Sequence, residues 1–127
     1  MTGKRLLQAA VVLGCIVPIA GGGYGVLRGL SMLGLAGTGG ADSHFRYLSG
    51  LLLGIGIGFL TTVPQIETHA ARFRLLAGIV VVGGLGRLLS VALGDGADAV
   101  TLFALVMELG VTPLLALWQG RVARRAS

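Results

Sequence analysis

The sequence predicts an all-α polytopic membrane protein, an antiparallel four-transmembrane-helix bundle folded as a single domain over residues 1–127. Three observations carry this reading. Four apolar stretches fill most of the chain, each close to the ~20 residues that cross a bilayer as a helix. Charge is scarce: 54% of residues are hydrophobic and 12% charged, about half the charge of a soluble domain, and the mean hydropathy is +0.90. The basic residues Lys4, Arg5, Arg72, Arg74, Arg121, Arg124 and Arg125 stand just outside the apolar stretches, where such residues anchor helices at a cytoplasmic face.

The first helix is expected over about 6–28, with Pro18 inside it and Arg28 closing it. The second is expected over 45–63, stopping at Pro64. The third covers 75–93 and contains Arg87, and the fourth covers 99–119 and contains Glu108 and Pro113. Only helices satisfy every backbone N–H and C=O within one segment, so an isolated span in lipid has no alternative. Between the stretches lie a Gly/Ser/Thr-containing loop from Gly29 to His44, a polar and basic loop from Gln65 to Arg74, and a Gly/Asp turn from Gly94 to Asp98. Connections this short make neighbouring helices run antiparallel. Seven of the ten basic residues fall at the N-terminus, in the second loop and at the C-terminus, whereas Asp42, Asp95 and Asp98 occupy the first and third loops. Both termini are therefore expected in the cytoplasm, with the chain multi-pass in a bacterial inner (plasma) membrane.

Composition and motifs exclude several functions. The net charge of +5 suggests nucleic acid, but only 6% of residues are aromatic and the basic residues do not form one face, so no nucleic-acid partner is expected. Cys15 is the single cysteine, which rules out an intramolecular disulfide and a cysteine metal cluster and leaves it as a packing residue. A lipobox or a cleaved leader is not expected, because Ile16 to Ala20 continues apolar beyond Cys15. His44 and His69 lie at opposite membrane ends and cannot share a metal. No catalytic trio, phosphate loop or cofactor motif is present, so no catalytic residue is assigned and the cofactor is unknown.

Twenty-three glycines would disfavour helices in water, but in lipid they let helices approach closely. Gly21, Gly25 and Gly29 recur every four residues, as do Gly50, Gly54 and Gly58 with Arg46 ahead of them, and each set is expected to form a packing ridge. Phe45-Arg46-Tyr47-Leu48-Ser49-Gly50 also matches Phe73-Arg74-Leu75-Leu76-Ala77-Gly78 at an offset of 28. In antiparallel helices such a match is an inverted repeat, a device of transporters.

Two charges lie where lipid should be: Arg87 in the third stretch and Glu108 in the fourth. An ionised side chain in hydrocarbon costs ~2.5–3.5 kcal/mol even on lenient scales, so the two are expected to pair. Thr101, Ala104, Glu108, Thr112, Ala116 and Gln119 make one polar or small face, and Gly83, Arg87, Ser90 and Gly94 another. Pro113 cannot donate to Leu109, which leaves that carbonyl without its usual partner beside Glu108. At a rise of ~1.5 Å per residue, Arg87 lies roughly 9 Å and Glu108 roughly 14 Å below the outer surface. With Asp42 nearby, His44, Arg46, Tyr47, Arg87, Ser90 and Glu108 form the candidate ligand-binding cluster of the outer half.

Asp42-Ser43-His44-Phe45-Arg46-Tyr47-Leu48-Ser49-Gly50, Gly86-Arg87-Leu88-Leu89-Ser90 and Met107-Glu108-Leu109, leading to Pro113-Leu114-Leu115-Ala116-Leu117-Trp118-Gln119, resemble the domain of unknown function 4345 family. These are small bacterial four-helix membrane proteins of uncharacterised role. The resemblance implies that His44, Arg46, Arg87 and Glu108 are signature positions, and it supplies no activity. The fourth helix is also similar to the DoxX group, some of which accompany quinone-linked oxidoreductases. The expected function is non-enzymatic binding of a lipid-like or quinone-like amphiphilic ligand, or of a membrane-protein partner, at the outer-half cluster. The alternative is a small oligomeric transporter or channel built on the inverted repeat, with a homo-oligomer and the lipid bilayer as partners.

The basic-residue count gives a first testable outcome. On a Cys15→Ser background, a cysteine at Ala97 should react with an impermeant thiol reagent in intact spheroplasts, and one at Ser127 only after lysis. The opposite labelling pattern would reverse the assigned orientation.

Overall fold

The computed structural model describes residues 2–36, 39–94 and 96–126, and every regular element among them is helical. Helix α1 runs Thr2–Arg28 and passes into a 3-10 turn, Gly29–Leu33. Helix α2 runs Gly40–Leu60, a second 3-10 turn covers Ile66–Thr68, and α3 runs Ala70–Ala92. The fourth helical run is made of α4 (Ala99–Val106), a π-helical turn (Met107–Val111) and α5 (Thr112–Ala126). Asp95, expected in the acidic third loop, and Ser127 lie outside the described residues.

Four helical runs were expected and four are present, but their ends differ. Helix α2 starts at Gly40 and takes in Asp42, Ser43 and His44, which sequence placed in a loop. Helix α3 starts at Ala70 and takes in Arg72 and Arg74, and the last run continues to Ala126. The physical reason is that hydropathy marks where lipid would end, whereas helical hydrogen bonding carries on through the polar turns beyond it. Three segments are long and apolar enough to cross a membrane: Gly3–Leu33, Ala70–Ala92 and Ala99–Ala126. Helix α2 is not among them, since Asp42, His44 and Arg46 load its first turns with polarity. Large apolar side chains stand exposed along these segments, Leu75, Val82, Leu89, Val100, Phe103, Leu114 and Leu117 among them. That is the surface expected of helices solvated by lipid.

The chain divides into two compact units, residues 8–64 and residues 1–7 with 65–127. In the first, α1 and α2 meet backbone to backbone. A Cβ at Gly22 would stand 2.6 Å from the Leu53 nitrogen and 2.7 Å from the Ser49 carbonyl oxygen, so only glycine fits. Ser49 also fills the space beside Gly25, and Gly56 lies against Ile19 and Pro18. The seam on α2 is therefore Arg46, Ser49, Leu53 and Gly56, at alternating three- and four-residue spacing. The expected ridges hold in part: Gly25 and Gly29 face α2 and Gly50 touches Val26, but a Cβ at Gly21 or Gly54 would meet nothing, and Gly22 and Gly56 line the contact instead. A strict four-residue step overshoots the ~3.6-residue turn by about 40° each time and drifts off the contact line, while a mixed step of three and four stays on it. Arg46 does head the contact line, as expected. At the far end of this unit the Gln8 amide donates to the Val63 carbonyl at 2.7 Å.

In the second unit, Gln65 adopts a left-handed conformation (φ 54°), unusual for a residue with a side chain. The turn it opens is pinned from several sides. Thr68 donates both its N–H and its hydroxyl to the Gln65 carbonyl, at 2.8 Å each. The fully buried Gln119 amide donates to the Ile66 carbonyl at 2.9 Å. Ile66 and Phe73 are themselves fully buried. Farther along α3, Gly84 faces the fourth run so closely that a Cβ there would lie 2.8 Å from the Glu108 Cβ. The repeat seen in the sequence has a counterpart in burial. Ser49 and Gly56 are buried in α2, and their matches at the 28-residue offset, Ala77 and Gly84, are buried in α3.

Adjacent glycines in α1 should behave oppositely on substitution. Gly22→Ala should destabilise by roughly 1–3 kcal/mol through overpacking against rigid backbone. Gly23→Ala, which meets only open space, should be neutral or slightly stabilising. Thermal melts of the two variants in detergent check this; equal losses would mean the helices do not meet at Gly22.

Candidate functional site

The polar residues picked out by sequence gather into two local groups, one in each unit. On the first, Arg46 and Asp42 stand one turn apart on α2 and form an ion pair, Nε to Oδ2, at 2.8 Å. Arg46 Nη1 also donates to the Val26 and Leu27 carbonyls at 2.6 and 3.2 Å, where α1 runs out of helical partners. The other Asp42 oxygen accepts from the Leu30 N–H at 2.8 Å, on the 3-10 turn that follows. The pair thus caps the end of α1 from a different helix. Gly29, at φ +59°, lies in contact with both side chains, and a Cβ there would collide with them. His44 and Tyr47 share α2 with this pair but are exposed, and neither makes a hydrogen bond or ion pair among the described residues.

The second group lies on α3 and the fourth run. Arg87 Nε donates to Glu108 Oε1 at 2.9 Å, so the pairing read from sequence is present. Glu108 stands in the π turn, and Pro113 accounts for that turn. Proline has no N–H for the Leu109 carbonyl, and its ring would clash there in a regular α-helix. The helix instead widens by one residue: the Thr112 N–H reaches back five positions to the Met107 carbonyl, and the Thr112 hydroxyl donates to the same oxygen at 2.7 Å. Gly84, one turn before Arg87, lets the π turn approach until the carboxylate reaches the guanidinium. Burial is uneven, since 17% of the Glu108 side chain is exposed but 43% of the Arg87 side chain. Ser90, one turn beyond Arg87 on α3, is half-buried and hydrogen-bonded or otherwise engaged.

Sequence reasoning missed two contributors. Asp98 is the N-cap of α4 and accepts from the Thr101 N–H at 2.8 Å, a pattern legible in Asp98-Ala99-Val100-Thr101. Its carboxyl is held below the usual range, chiefly by Thr101's N–H and then its hydroxyl, with a weaker pull from the charge of Arg87. The other is Lys4–Glu67 at 2.9 Å, beside the Gln119–Ile66 bond. Lys4, first of all, holds the Glu67 carboxyl below its usual range. Nothing in the sequence announced that contact, because its partners are 63 residues apart. Among the described residues no cluster of three or more His, Cys, Asp or Glu could hold a metal.

Fold and site together define a class: an all-helical protein with three helices apolar enough to cross a membrane and ion pairs set at or within apolar segments. The family model described as "Domain of unknown function (DUF4345)" matches residues 6–119, most of the chain, and the protein belongs to that family. Comparison with curated proteins and with solved structures gives no match.

Two outcomes follow. Arg87→Leu or Glu108→Leu alone should each cost roughly 1–3 kcal/mol, and the double variant should recover much of the loss, because neither charge is then stranded. Strictly additive changes in detergent melts would show that the side chains do not interact. The second concerns pH. The Arg46 guanidinium first, and then the Leu30 N–H, hold the Asp42 carboxyl below its usual range. A lowered folded value means the stabilisation is present above the ordinary carboxylate range and is lost as pH falls through the folded value. The stability gap between the parent and Asp42→Asn should thus be full at neutral pH and close only below about pH 4. A gap that does not change with pH would refute the ionic contact.

Proposed function

We propose that this chain is a four-span protein of a bacterial inner membrane, both termini cytoplasmic, that binds the polar head of an amphiphile without catalysis. On this reading α2 is the fourth span, its polar first turns lying at the outer surface with Asp42. The ligand is lipid-like or quinone-like. It is held in the outer half by Arg87, Ser90 and Glu108, which all belong to the second unit.

One observation carries the reading. Arg87 keeps 43% of its side chain exposed on a helix apolar enough to cross a membrane, although its Nε is already paired. A guanidinium presents five donors, and Glu108 takes one of them through Nε. A donor edge left open in the bilayer is unfavourable unless an acceptor covers it. A head bearing a phosphate, carboxylate or quinone carbonyl is such an acceptor, and the exposed apolar side chains nearby, Leu88 and Leu89, suit its tail.

The protein purified in mild detergent should carry a discrete amphiphile, seen by mass spectrometry of an organic extract. Arg87→Gln, expressed and purified alongside, should lose about tenfold of it. An extract no different from that of an unrelated membrane protein, with a protein partner co-purifying in stoichiometric amount, would replace the ligand by that partner.

A further inference from the structure

We infer that a groove on α3 headed by Arg74 seats an anionic phospholipid of the surrounding bilayer, its phosphate on the guanidinium and the start of one acyl chain along the helix. The groove is lined by Arg74, Leu75, Gly78, Ile79 and Val82. Arg74 is exposed and makes no ion pair or hydrogen bond among the described residues. From Arg74 to Val82 the groove runs ~12 Å along the helix, at ~1.5 Å per residue. Its floor is Gly78, where an added Cβ would meet nothing within 4 Å, and its walls Leu75, Ile79 and Val82 are apolar. One end thus offers a cation and the rest offers hydrocarbon, which is the order of groups in a phospholipid.

Charge complementarity selects the anionic class. This unit carries Lys4, Arg5, Arg72, Arg74, Arg87, Arg121, Arg124 and Arg125, and against them the acids among its described residues are Glu67, Asp98 and Glu108, each already engaged. The start of α3 and the second half of α5 belong to one end of the unit, since Gln119 of α5 bonds the turn that leads into α3. Arginine forms charge-assisted, often bidentate, hydrogen bonds with phosphate, and its aliphatic stem lies along apolar surface while the head reaches the interface. The site is separate from the Arg87–Glu108 pair and requires only that α3 lie in a bilayer.

The test is native mass spectrometry of the full chain in mild detergent, titrated with dioleoyl phosphatidylglycerol and, separately, dioleoyl phosphatidylcholine. The anionic lipid should be retained at about fivefold lower concentration than the zwitterionic one. Arg74→Gln should abolish that preference. Gly78→Leu should fill the floor and weaken retention at least ~3-fold with a melting temperature no lower than the parent's, since its Cβ enters open space and glycine is the poorer helix former. Arg121→Gln, with the same loss of charge, should bind as the parent does. Equal retention of both lipids would overturn the proposal. So would equal weakening by Arg121→Gln and Arg74→Gln, which would mean diffuse surface charge, or normal binding by Gly78→Leu, which would mean that no chain occupies the groove. Displacement of the lipid by glycerol phosphate at similar concentration would overturn it too, by showing that the headgroup alone is recognised.

Discussion

Two helices can come no closer than their side chains allow, and at Gly22 that limit is removed: the α1 backbone comes close to the Ser49 carbonyl and the Leu53 nitrogen of α2. Lipid supplies little hydrophobic force between helices, so association there depends on close fit and on polar contacts. The fit comes first in this unit, because the polar contacts are set by it. With α2 held along Gly22, Gly25 and Gly56, Arg46 arrives opposite the last carbonyls of α1 and Asp42 opposite the Leu30 N–H. A larger residue on the seam would push α2 away and leave three backbone groups at the end of α1 without partners. The second unit repeats the logic with Gly84, whose missing side chain brings Glu108 up to Arg87.

Three ion pairs among the described residues, Asp42–Arg46, Lys4–Glu67 and Arg87–Glu108, are each local to a unit and differ in what they do. Asp42–Arg46 serves as a helix cap supplied by a neighbouring helix, so its contribution resembles ordinary capping more than simple charge attraction. Lys4–Glu67 fastens the first residues of α1 to the turn that precedes α3, next to the buried Gln119 bond. Arg87–Glu108 joins two apolar helical runs, and its exposure is uneven: the carboxylate is largely covered and the guanidinium is not.

How much of this was legible in the sequence depended on the range of the interaction responsible. Helix number followed from apolar length, and the Arg87–Glu108 pairing from the rule that opposite charges in lipid seek each other. The ends of α2 and α3 did not follow, because polar residues such as Asp42, Arg72 and Arg74 continue a helix that hydropathy declares finished. The packing seams were right in part, with Gly22 instead of Gly21 on α1 and Gly56 instead of Gly54 on α2, since the periodicity of a single helix does not say which of several nearby glycines faces a neighbour. Pro113 signalled trouble in the fourth helix, but not that the chain would answer with a wider turn. The Lys4–Glu67 and Gln119–Ile66 contacts were invisible, as each joins residues more than fifty positions apart and has no local signature.

The π turn at Met107–Val111 also has a bearing on how relatives should be compared. A π turn holds one residue more than an α turn, and one residue is worth about 100° of rotation about the helix axis. Everything after Val111 is therefore turned by about that amount relative to its place in an uninterrupted α-helix, and it is from this face that Gln119 bonds Ile66. A relative lacking one residue in this stretch could align well on both sides and still present a different face of its last helix. Aligned columns beyond the turn would then name equivalent letters at inequivalent places on the molecule.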